Sequence, residues 1–358
     1  MKKVCILSSV NIKHMTLISL YTNRLERDNI KYDIIYMDKY GENEKINAEN
    51  IYRFENKITR TDSKLNKILK YFKFRKYAKQ ILNRNKYDFI IVWNEVTSFI
   101  FSGYLQRKYE NRYCLNIRDY LYHDFPIIKN IHHRVINKSA FTTISSDAFK
   151  SFLPKYDYIH IHSLNVKLLS QVNPRKALRA NEERLRISFI GNVRFFDINK
   201  KILDVFKNDN RFELCYFGTN SEVLKEYAIN NEIENVSFNS SFPVEDTANF
   251  IEKSDIINNI YGNNSKKLDY ALSIKLYYAI YNNLPILVNS KTHMAEIVSK
   301  YNIGYVVEKI DENLPNNIYT WYRSINFNDF SKNCRKMLDE IVENNIEFDR
   351  YYDKFIKL

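Results

Sequence analysis

Short apolar runs recur along the whole chain, and segments with helical periodicity separate most of them. Residues 87–93, YDFIIVW, are typical of these runs. Their β-branched and aromatic residues follow one another with little alternation, as in a strand that is buried on both faces. Strands separated by helices pair in parallel and form a doubly wound sheet. The pattern therefore predicts an α/β protein.

The alternation of strands and helices is interrupted once, near the middle of the chain. Residues 167–184 are polar and contain Pro174, which is typical of a linker. We therefore predict two Rossmann-like domains, 1–166 and 185–325, that face each other across a cleft. The polar helical tail, 326–358, is expected to pack on the first domain. Before the linker we predict a helix over 13–28, a loop-rich stretch up to residue 137, and strands at 4–7, 32–36, 87–93, 113–117, 140–144 and 158–161. After it, strands are predicted at 185–190, 212–217, 236–238, 255–260, 286–288 and 305–307.

Composition narrows the class of protein. The chain has 358 residues, enough for two domains that each bury a core. No apolar run reaches the roughly 18 residues that a membrane-spanning helix needs. The four cysteines are scattered and form no CxxC pair. We therefore expect reduced thiols and a cytoplasmic protein.

The net charge of +13 favours anionic partners, and part of it is concentrated in one segment. Residues 64–86 contain nine Lys/Arg and no acid. Apolar residues recur there at helical spacing, so we expect an amphipathic helix that makes peripheral contact with an anionic membrane at the inner face of the cell membrane. The alternative is a helix packed on its own domain with a solvated basic face. No nucleic-acid recognition motif accompanies the charge, and no nucleic-acid partner is expected.

Two segments of the second half have the chemistry of an anion site. The strand predicted at 185–190 runs into Gly191-Asn192-Val193-Arg194, which brings backbone N–H groups and a guanidinium together. Ser273-Ile274-Lys275 stands at the start of an apolar helix, where free N–H groups and a lysine favour a phosphate. The alternative for the first segment is a solvated turn with ordinary surface cations.

The order of these and later motifs resembles the second domain of GT-B glycosyltransferases, in particular the family 4 type and related capsule-cluster enzymes. The motifs are FIGNVRFFDINK, YFGTN, SDIINNIYG, SIKLYYAIYNNLPILVN and AEIV, over about residues 185–307. The resemblance implies a GT-B fold with a nucleotide-sugar site in the second domain. By position, it assigns the donor diphosphate to Asn192, Arg194 and Lys275.

The chain departs from this family where a pair of glutamates is usual. Tyr278 stands seven residues before Pro285, where the ribose-binding glutamate is expected, and Tyr270 replaces its partner. The donor could instead be held by Tyr261, Tyr278 or Glu296, although Glu296 could equally cap its helix. The resemblance suggests retention at the anomeric carbon, and the missing glutamates weaken that inference.

The first half is expected to bind the acceptor. By resemblance, its first loop faces the donor phosphates, which makes His14 and Thr16 candidates, although Thr16 or Asn11 could simply cap the next helix. Asp119, at a strand end, is a candidate general base for a sugar hydroxyl, or else a structural ion pair with Arg118. The pairs His132/His133 and His160/His162 lack partners at zinc-site spacing and are interpreted as structural.

We therefore interpret the chain as a metal-independent glycosyltransferase of the hexosyltransferase type, without a cofactor. Its expected donor is a UDP-sugar, and its expected acceptor is a glycan or a polyprenyl-linked sugar of a surface polysaccharide. Three alternatives stay open: a non-catalytic GT-B-like subunit that partners an active transferase, a GT-B sugar epimerase, and a nucleic-acid-binding protein motivated by charge alone.

Overall fold

A computed structural model describes residues 2–15, 18–59 and 61–358 of the protein. The chain divides into two compact units. The N-terminal unit comprises residues 1–162 and 343–358, and the C-terminal unit comprises residues 163–342. Each unit contains one parallel sheet.

The sheet of the N-terminal unit has seven strands in the order β3-β2-β1-β4-β5-β6-β7. Nearly all of its strands are fully buried, which explains why continuous apolar runs predicted them. The exception is the edge strand Asn50–Glu55, which is exposed or half-buried and gave no such run. The strands are β1 (Val4–Ser8), β2 (Tyr32–Asp38), β3 (Asn50–Glu55), β4 (Phe89–Trp93), β5 (Tyr113–Ile117), β6 (Phe141–Ile144) and β7 (Tyr158–His160).

The helices of this unit differ from the expectation in two places. The helix predicted over 13–28 is a 3-10 turn, Ile12–His14, followed by a shorter helix that begins at Ser19. The stretch predicted as loop-rich contains a helix that starts with Pro126 in its first turn, where proline's missing N–H does no harm. The helices are α1 (Ser19–Arg27), α2 (Lys64–Asn85), α3 (Glu95–Lys108) and α4 (Pro126–Asn137), with a second 3-10 turn at Asp147–Ser151.

The sheet of the C-terminal unit has six parallel strands in the order β10-β9-β8-β11-β12-β13. Its strands are β8 (Leu185–Ile190), β9 (Phe212–Phe217), β10 (Val236–Asn239), β11 (Ile256–Asn259), β12 (Ile286–Asn289) and β13 (Gly304–Val307). Its helices are α5 (Val166–Leu169), α6 (Phe196–Val205), α7 (Ser221–Asn230), α8 (Thr247–Glu252), α9 (Lys266–Asp269), α10 (Ile274–Tyr281), α11 (His293–Tyr301) and α12 (Leu314–Ser324), with a 3-10 turn at Val244–Asp246.

The segment predicted as a linker, 167–184, is instead part of the C-terminal unit. Leu168, Leu169 and Val172 belong to its buried core. Farther along, Arg175 and Arg179 form ion pairs of 2.9 and 2.6 Å with the fully buried carboxylate of Asp255. The segment is therefore polar because its arginines form ion pairs within the unit, and not because it is a solvated linker.

The end of the chain is helix α13 (Phe327–Tyr352), followed by a π-helical turn, Asp353–Lys357. Its first half contributes Phe330, Cys334, Met337 and Ile341 to a core of the C-terminal unit. Residues 343–358 belong to the N-terminal unit, where Phe348, Tyr352 and Ile356 are fully buried. There Asp349 accepts a hydrogen bond of 2.5 Å from Arg24.

In both sheets the strand order reverses at one point, between β1 and β4 and between β8 and β11. In open parallel sheets such a reversal leaves a crevice at the carboxyl edge, where ligands bind. These two edges are therefore the places to look for a site. None of the helices in the described parts of the chain has the length and apolar character needed to cross a membrane.

Candidate functional site

Two glycines shape the carboxyl edge of the C-terminal sheet. Gly191 follows β8 with φ +122°, and Gly218 follows β9 with φ +140°, a region that favours glycine. A Cβ on Gly218 would lie 2.0 Å from the carbonyl oxygen of Gly191, so the two loops pack together only because Gly218 has no side chain. A Cβ on Gly191 would meet nothing within 4 Å. The edge therefore has open space beside Gly191.

The loop after Gly191 presents a cation at this edge. Val193 is buried, and Asn199 of α6 donates a hydrogen bond of 2.8 Å to the carbonyl of Arg194, which fixes the loop. The Arg194 side chain is exposed and, within the described ranges, takes part in no hydrogen bond or ion pair. Asn192 is exposed too, but its side-chain oxygen accepts from Asn220 at 2.9 Å. Arg194 is thus free to bind an anion.

Lys275, the second residue of α10, is buried, with only 2% of its surface exposed. Its Nζ lies 3.7 Å from the centroid of the Phe189 ring and 4.5 Å from that of Tyr261. The ammonium donates a hydrogen bond to the Tyr261 hydroxyl, and the described residues supply no other acceptor. Ser273 caps the helix by accepting from the Lys275 backbone N–H at 3.3 Å.

Burial lowers the pKa of Lys275, while Tyr261 opposes this shift and the charge of Arg194 adds to it. The two cations are therefore close enough to repel each other. A buried ammonium with one neutral hydrogen-bond partner destabilises the fold, and the start of a helix adds positive potential. An anion bound beside both cations would relieve these effects, which makes this arrangement a candidate anion site.

The loop that carries Tyr261 is fixed by a residue that the sequence analysis did not single out. Asn289, at the end of β12, accepts hydrogen bonds from the backbone N–H groups of Tyr261 and Gly262 at 2.8 and 2.7 Å. At the end of β11, the buried side-chain oxygen of Asn259 has no partner within the described ranges. The sequence did offer a signal for Asn289 and Asn259, because each is a polar residue at the end of a predicted strand.

Comparison with known proteins supports the assignment of this fold. No family model and no curated sequence matches the chain. Among solved structures, it is similar to sucrose-phosphate synthase from Thermosynechococcus elongatus (TM-score 0.74, 9% identity, 100% of both chains covered). It is also similar to Anabaena HepE in complex with UDP (TM-score 0.67, 10% identity, 99% of this chain and 100% of the other). A third is WaaG, a glycosyltransferase involved in lipopolysaccharide biosynthesis (TM-score 0.66, 11% identity, 99% of each).

The chain has the GT-B fold. This confirms the fold class that the strand–helix pattern and the motifs predicted. Identities of 9–11% establish the fold and not the activity.

Two other residues predicted for the donor site of this GT-B protein occupy different surroundings. Tyr278 is buried in the core on α10, and burial raises the pKa of its hydroxyl to about 12, with a smaller effect of Tyr261. Glu296 is exposed on α11 and pairs with His293 at 2.7 Å. The cap of α11 is Thr292, which accepts from the Ala295 N–H at 3.2 Å. Glu296 therefore does not cap its helix through a backbone N–H, and Tyr278 presents an uncharged phenol where the predicted resemblance would place a carboxylate.

In the N-terminal unit, Asp119 follows β5 and its side chain is exposed. The backbone N–H groups of Arg118 and Asp119 both donate to Glu95, the first residue of α3. Burial, with a further contribution from the charge of Asp119, raises the pKa of Glu95 to about 7. Sequence reasoning missed Glu95, although its place at the start of a helix, just beyond the buried strand β4, was a signal.

The first loop of this unit holds the remaining candidates. His14 is exposed in the 3-10 turn, its ring centroid lies 5.3 Å from that of Tyr40, and burial together with Lys13 lowers its pKa. Asn11 does not cap a helix; its side chain donates to Asp38 at 2.7 Å and to Glu44 at 2.9 Å. Thr16 lies outside the described residues.

Of the histidine pairs singled out in the sequence, His132, His160 and His162 are buried and His133 is half-buried. His123 and His132 share a hydrogen bond of 2.8 Å, and burial lowers their pKa values to about 3 and about 4. His160 and His162 stack at 3.9 Å, and burial lowers the pKa of His162 to about 2. In the described part of the chain, no three His, Cys, Asp or Glu side chains are grouped to hold a metal.

A cavity of about 380 Å³ at the amino edge of the C-terminal sheet is a poorer candidate. It is lined by Arg175, Arg179 and Leu284, among others. Both arginines form ion pairs with Asp255, and Arg179 also pairs with Glu183, so these cations already have acidic partners within the protein.

Proposed function

We propose that this protein is a glycosyltransferase that binds a nucleotide-diphosphate sugar, with UDP-sugar as the expected donor, at the carboxyl edge of its C-terminal sheet. The observation that carries the proposal is Lys275, a buried ammonium held between two aromatic rings beside the free Arg194. A cation in such a place lowers stability, so its presence favours a functional role.

In this proposal, the donor diphosphate lies beside Gly191, where the edge has open space. The guanidinium of Arg194 binds the phosphate oxygens in bidentate fashion, and Lys275 and the start of α10 supply further positive charge. As the glycosidic bond to the diphosphate breaks, these groups stabilise the charge that develops on the leaving group. The reaction then needs neither a metal ion nor a cofactor.

The remaining donor and acceptor roles are also part of the proposal. Tyr261 and Asn192 flank the two cations and are assigned to the donor, whereas Tyr278 and Glu296 are assigned weaker contacts to the nucleoside. Asp119 is proposed as the base that takes the proton of the acceptor hydroxyl, with His14 and Thr16 in supporting roles. The buried Glu95 beside it holds the Asp119 backbone N–H and acts as a positioning residue.

The choice of donor and acceptor is supported by the similar structures. HepE was crystallised with UDP and with UDP and glucose, and WaaG acts in lipopolysaccharide biosynthesis. We therefore propose a hexosyl transfer, of the family 4 or capsule type, to a glycan or polyprenyl-linked acceptor of a surface polysaccharide. The proposed place of action is the cytoplasm.

One observation favours a second candidate function. Tyr278 stands where this type of enzyme carries its ribose-binding glutamate, and its ring is part of the core. A GT-B protein that binds a nucleotide but partners an active transferase would tolerate this change. The second candidate is therefore a non-catalytic nucleotide-binding subunit.

Thermal-shift titration of the purified protein with UDP, GDP, CMP and their sugars tests the proposal. Stabilisation by one nucleotide, lost in Lys275→Met, is the expected result. Hydrolysis of the matching nucleotide sugar, followed by mass spectrometry, then separates an enzyme from a binding subunit, because only the enzyme releases the sugar. No stabilisation by any nucleotide would contradict both functions.

A further inference from the structure

Some apolar residues of helix α2 are buried, and others are exposed to solvent. In its second half Phe74, Ala78, Ile81 and Leu82 are buried in the N-terminal unit. In its first half the apolar residues are exposed, with 50% of Ile68 and 60% of Phe72 accessible, as well as most of Leu65 and Leu69. Packing within the unit thus explains only the second half. The exposed half has apolar surface that the unit does not use.

The exposed half of α2 borders further apolar surface from α3 and α4. A groove of about 460 Å³ lies between the three helices and is lined almost entirely by apolar side chains. Phe125 and Ile127, at the start of α4, are exposed beside it. The lining includes Ile68, Phe72, Val96, Ile100, Leu121 and Ile128. We call this surface, residues 65–72 together with the groove and residues 125–128, the apolar face.

Exposed lysines lie on the same helices as the apolar face. Lys64, Lys73 and Lys76 of α2 are exposed, as is Lys129 of α4. Within the described ranges, none of these four forms an ion pair with an acid. Residues 64–86 contain nine Lys/Arg and no acid, so α2 is strongly basic. Exposed Phe, Ile and Leu side chains next to unpaired lysines have the chemistry of a surface that lies on anionic lipid headgroups.

We propose that the apolar face docks the protein peripherally on a bilayer that contains anionic lipids. The lysines neutralise the headgroups, and Ile68, Phe72, Phe125 and Ile127 enter the boundary between headgroups and acyl chains. Charge complementarity selects the lipid surface over a neutral protein partner, and the apolar side chains select it over nucleic acid, which cations alone would bind. The inference rests on the N-terminal unit and is independent of the nucleotide site.

Co-sedimentation of the full chain with vesicles tests this. We expect binding to phosphatidylcholine vesicles that contain about one third phosphatidylglycerol, and little binding to phosphatidylcholine alone. The double variant Ile68→Ser/Phe72→Ser should weaken partitioning about tenfold or more, since both apolar anchors are lost. The matched control is Ile229→Ser/Val244→Ser, which removes two apolar residues that are each 66% exposed but lie outside the face. The control should bind like the unchanged protein.

A charge-reversal pair tests the cations separately. Lys73→Glu/Lys76→Glu should weaken vesicle binding about tenfold or more, whereas Lys207→Glu/Lys225→Glu, with the same change in net charge, should weaken it far less. In the variant Phe72→Trp, the fluorescence of the new tryptophan should be quenched by lipids with brominated acyl chains. Such quenching shows directly that the side chain enters the bilayer. Circular dichroism confirms that each variant is folded.

Two results would overturn the proposal. One is equal loss of binding in the face variants and their controls, which indicates attraction by net charge alone. The other is no vesicle binding, together with a change in oligomeric state in Ile68→Ser/Phe72→Ser, which indicates that a second copy of the chain covers the face.

Discussion

The two units have the same arrangement of strands around the point where strand order reverses, yet their carboxyl edges differ there. In the N-terminal unit, Thr97 accepts a hydrogen bond of 2.8 Å from the Ser9 backbone N–H, and Asn94 accepts from Thr97 at 3.0 Å. In the C-terminal unit the equivalent strand ends at Gly191, beside open space and the free Arg194. Side chains of the unit bond to one another at the first edge, whereas the second edge has open space beside Gly191.

This difference teaches that a strand-order reversal provides the place for a site but not the site itself. Short polar side chains that bond one another across the N-terminal edge satisfy it internally. At the C-terminal edge a glycine removes side-chain volume, and Arg194 adds its charge near the buried Lys275, for which the described residues supply no acidic partner. The C-terminal edge therefore differs from the N-terminal edge in having cations without acidic partners among the described residues.

The largest effect is expected from the two glycines of the C-terminal edge. Gly218→Ala should lower the free energy of unfolding by about 4 kcal/mol, because its Cβ would collide with the Gly191 carbonyl. Gly191→Ala should cost only about 1–2 kcal/mol of backbone strain and should also weaken UDP binding. Urea denaturation and UDP titration measure the two effects. Equal destabilisation by both substitutions would mean that the edge beside Gly191 is not open.

The next prediction concerns Lys275, whose replacement should change UDP binding and the free energy of unfolding in different ways. Lys275→Met should weaken UDP binding about 100-fold, since a desolvated cation is lost from a phosphate site. The same change should leave the free energy of unfolding unchanged or raise it, because a neutral side chain replaces a buried charge. Calorimetric titration and urea denaturation on one preparation decide this. A variant that unfolds easily and still binds UDP would make Lys275 a structural residue.

At the N-terminal edge, the buried Glu95 should make the free energy of unfolding depend on pH. The folded-state pKa of Glu95 is raised to about 7, so its protonated form stabilises the fold below the unfolded pKa near 4.5, and that contribution is lost as pH rises to 7. Glu95→Gln keeps an oxygen for the two backbone N–H groups and cannot ionise. Its free energy of unfolding should therefore match the unchanged protein at pH 4 and exceed it by about 3 kcal/mol at pH 8.

Urea denaturation at both pH values measures this difference. Glu222→Gln is the control, because it removes an exposed carboxylate that has no ion-pair partner in the described part of the chain. A pH-independent difference for Glu95→Gln would mean that its carboxyl group ionises normally.

The smallest effect is expected at the exposed cation of the C-terminal edge. Arg194→Ala should weaken UDP binding about tenfold through the loss of bidentate contacts. It should leave stability unchanged, since the side chain forms no hydrogen bond or ion pair with the residues that the structure describes. Arg335→Ala, an exposed arginine on α13 of the same unit, is the matched control. UDP affinities that are equal in both variants would remove Arg194 from the site.

Local sequence patterns predicted features that depend on few neighbours. The apolar runs predicted most strands, because a strand buried on both faces must be apolar throughout. They did not predict β3, which is an edge strand with half-buried residues. They also did not predict α4, whose short apolar pattern begins at a proline. The stripe of residues 65–82 was predicted as one helical face, whereas the structure buries only its second half.

The candidate site also combines residues that the sequence indicated with contacts that only the structure revealed. A lysine after Ser273 at a helix start, and an arginine three residues after Gly191, are visible in the sequence as anion-binding chemistry. The ring of Phe189 below the ammonium and the side chain of Asn289 that fixes the Tyr261 loop are not. Phe189 comes from a strand far from Lys275 in sequence, and a single chain gives no signal for a contact over such a separation. Asn289 was visible as a polar residue at a strand end, but its hydrogen bonds to the Tyr261 loop were not.

By itself, then, the sequence determined the α/β class, the parallel strands and the residue types able to bind a diphosphate, because burial and helix-end chemistry are local properties. Only the tertiary structure decided that Lys275 is buried against Phe189 and Tyr261, that the segment 167–184 belongs to the C-terminal unit, and that Glu95 retains its proton to near neutral pH. Each of these depends on the solvent and the charges that surround a group, and those are fixed only when distant strands meet.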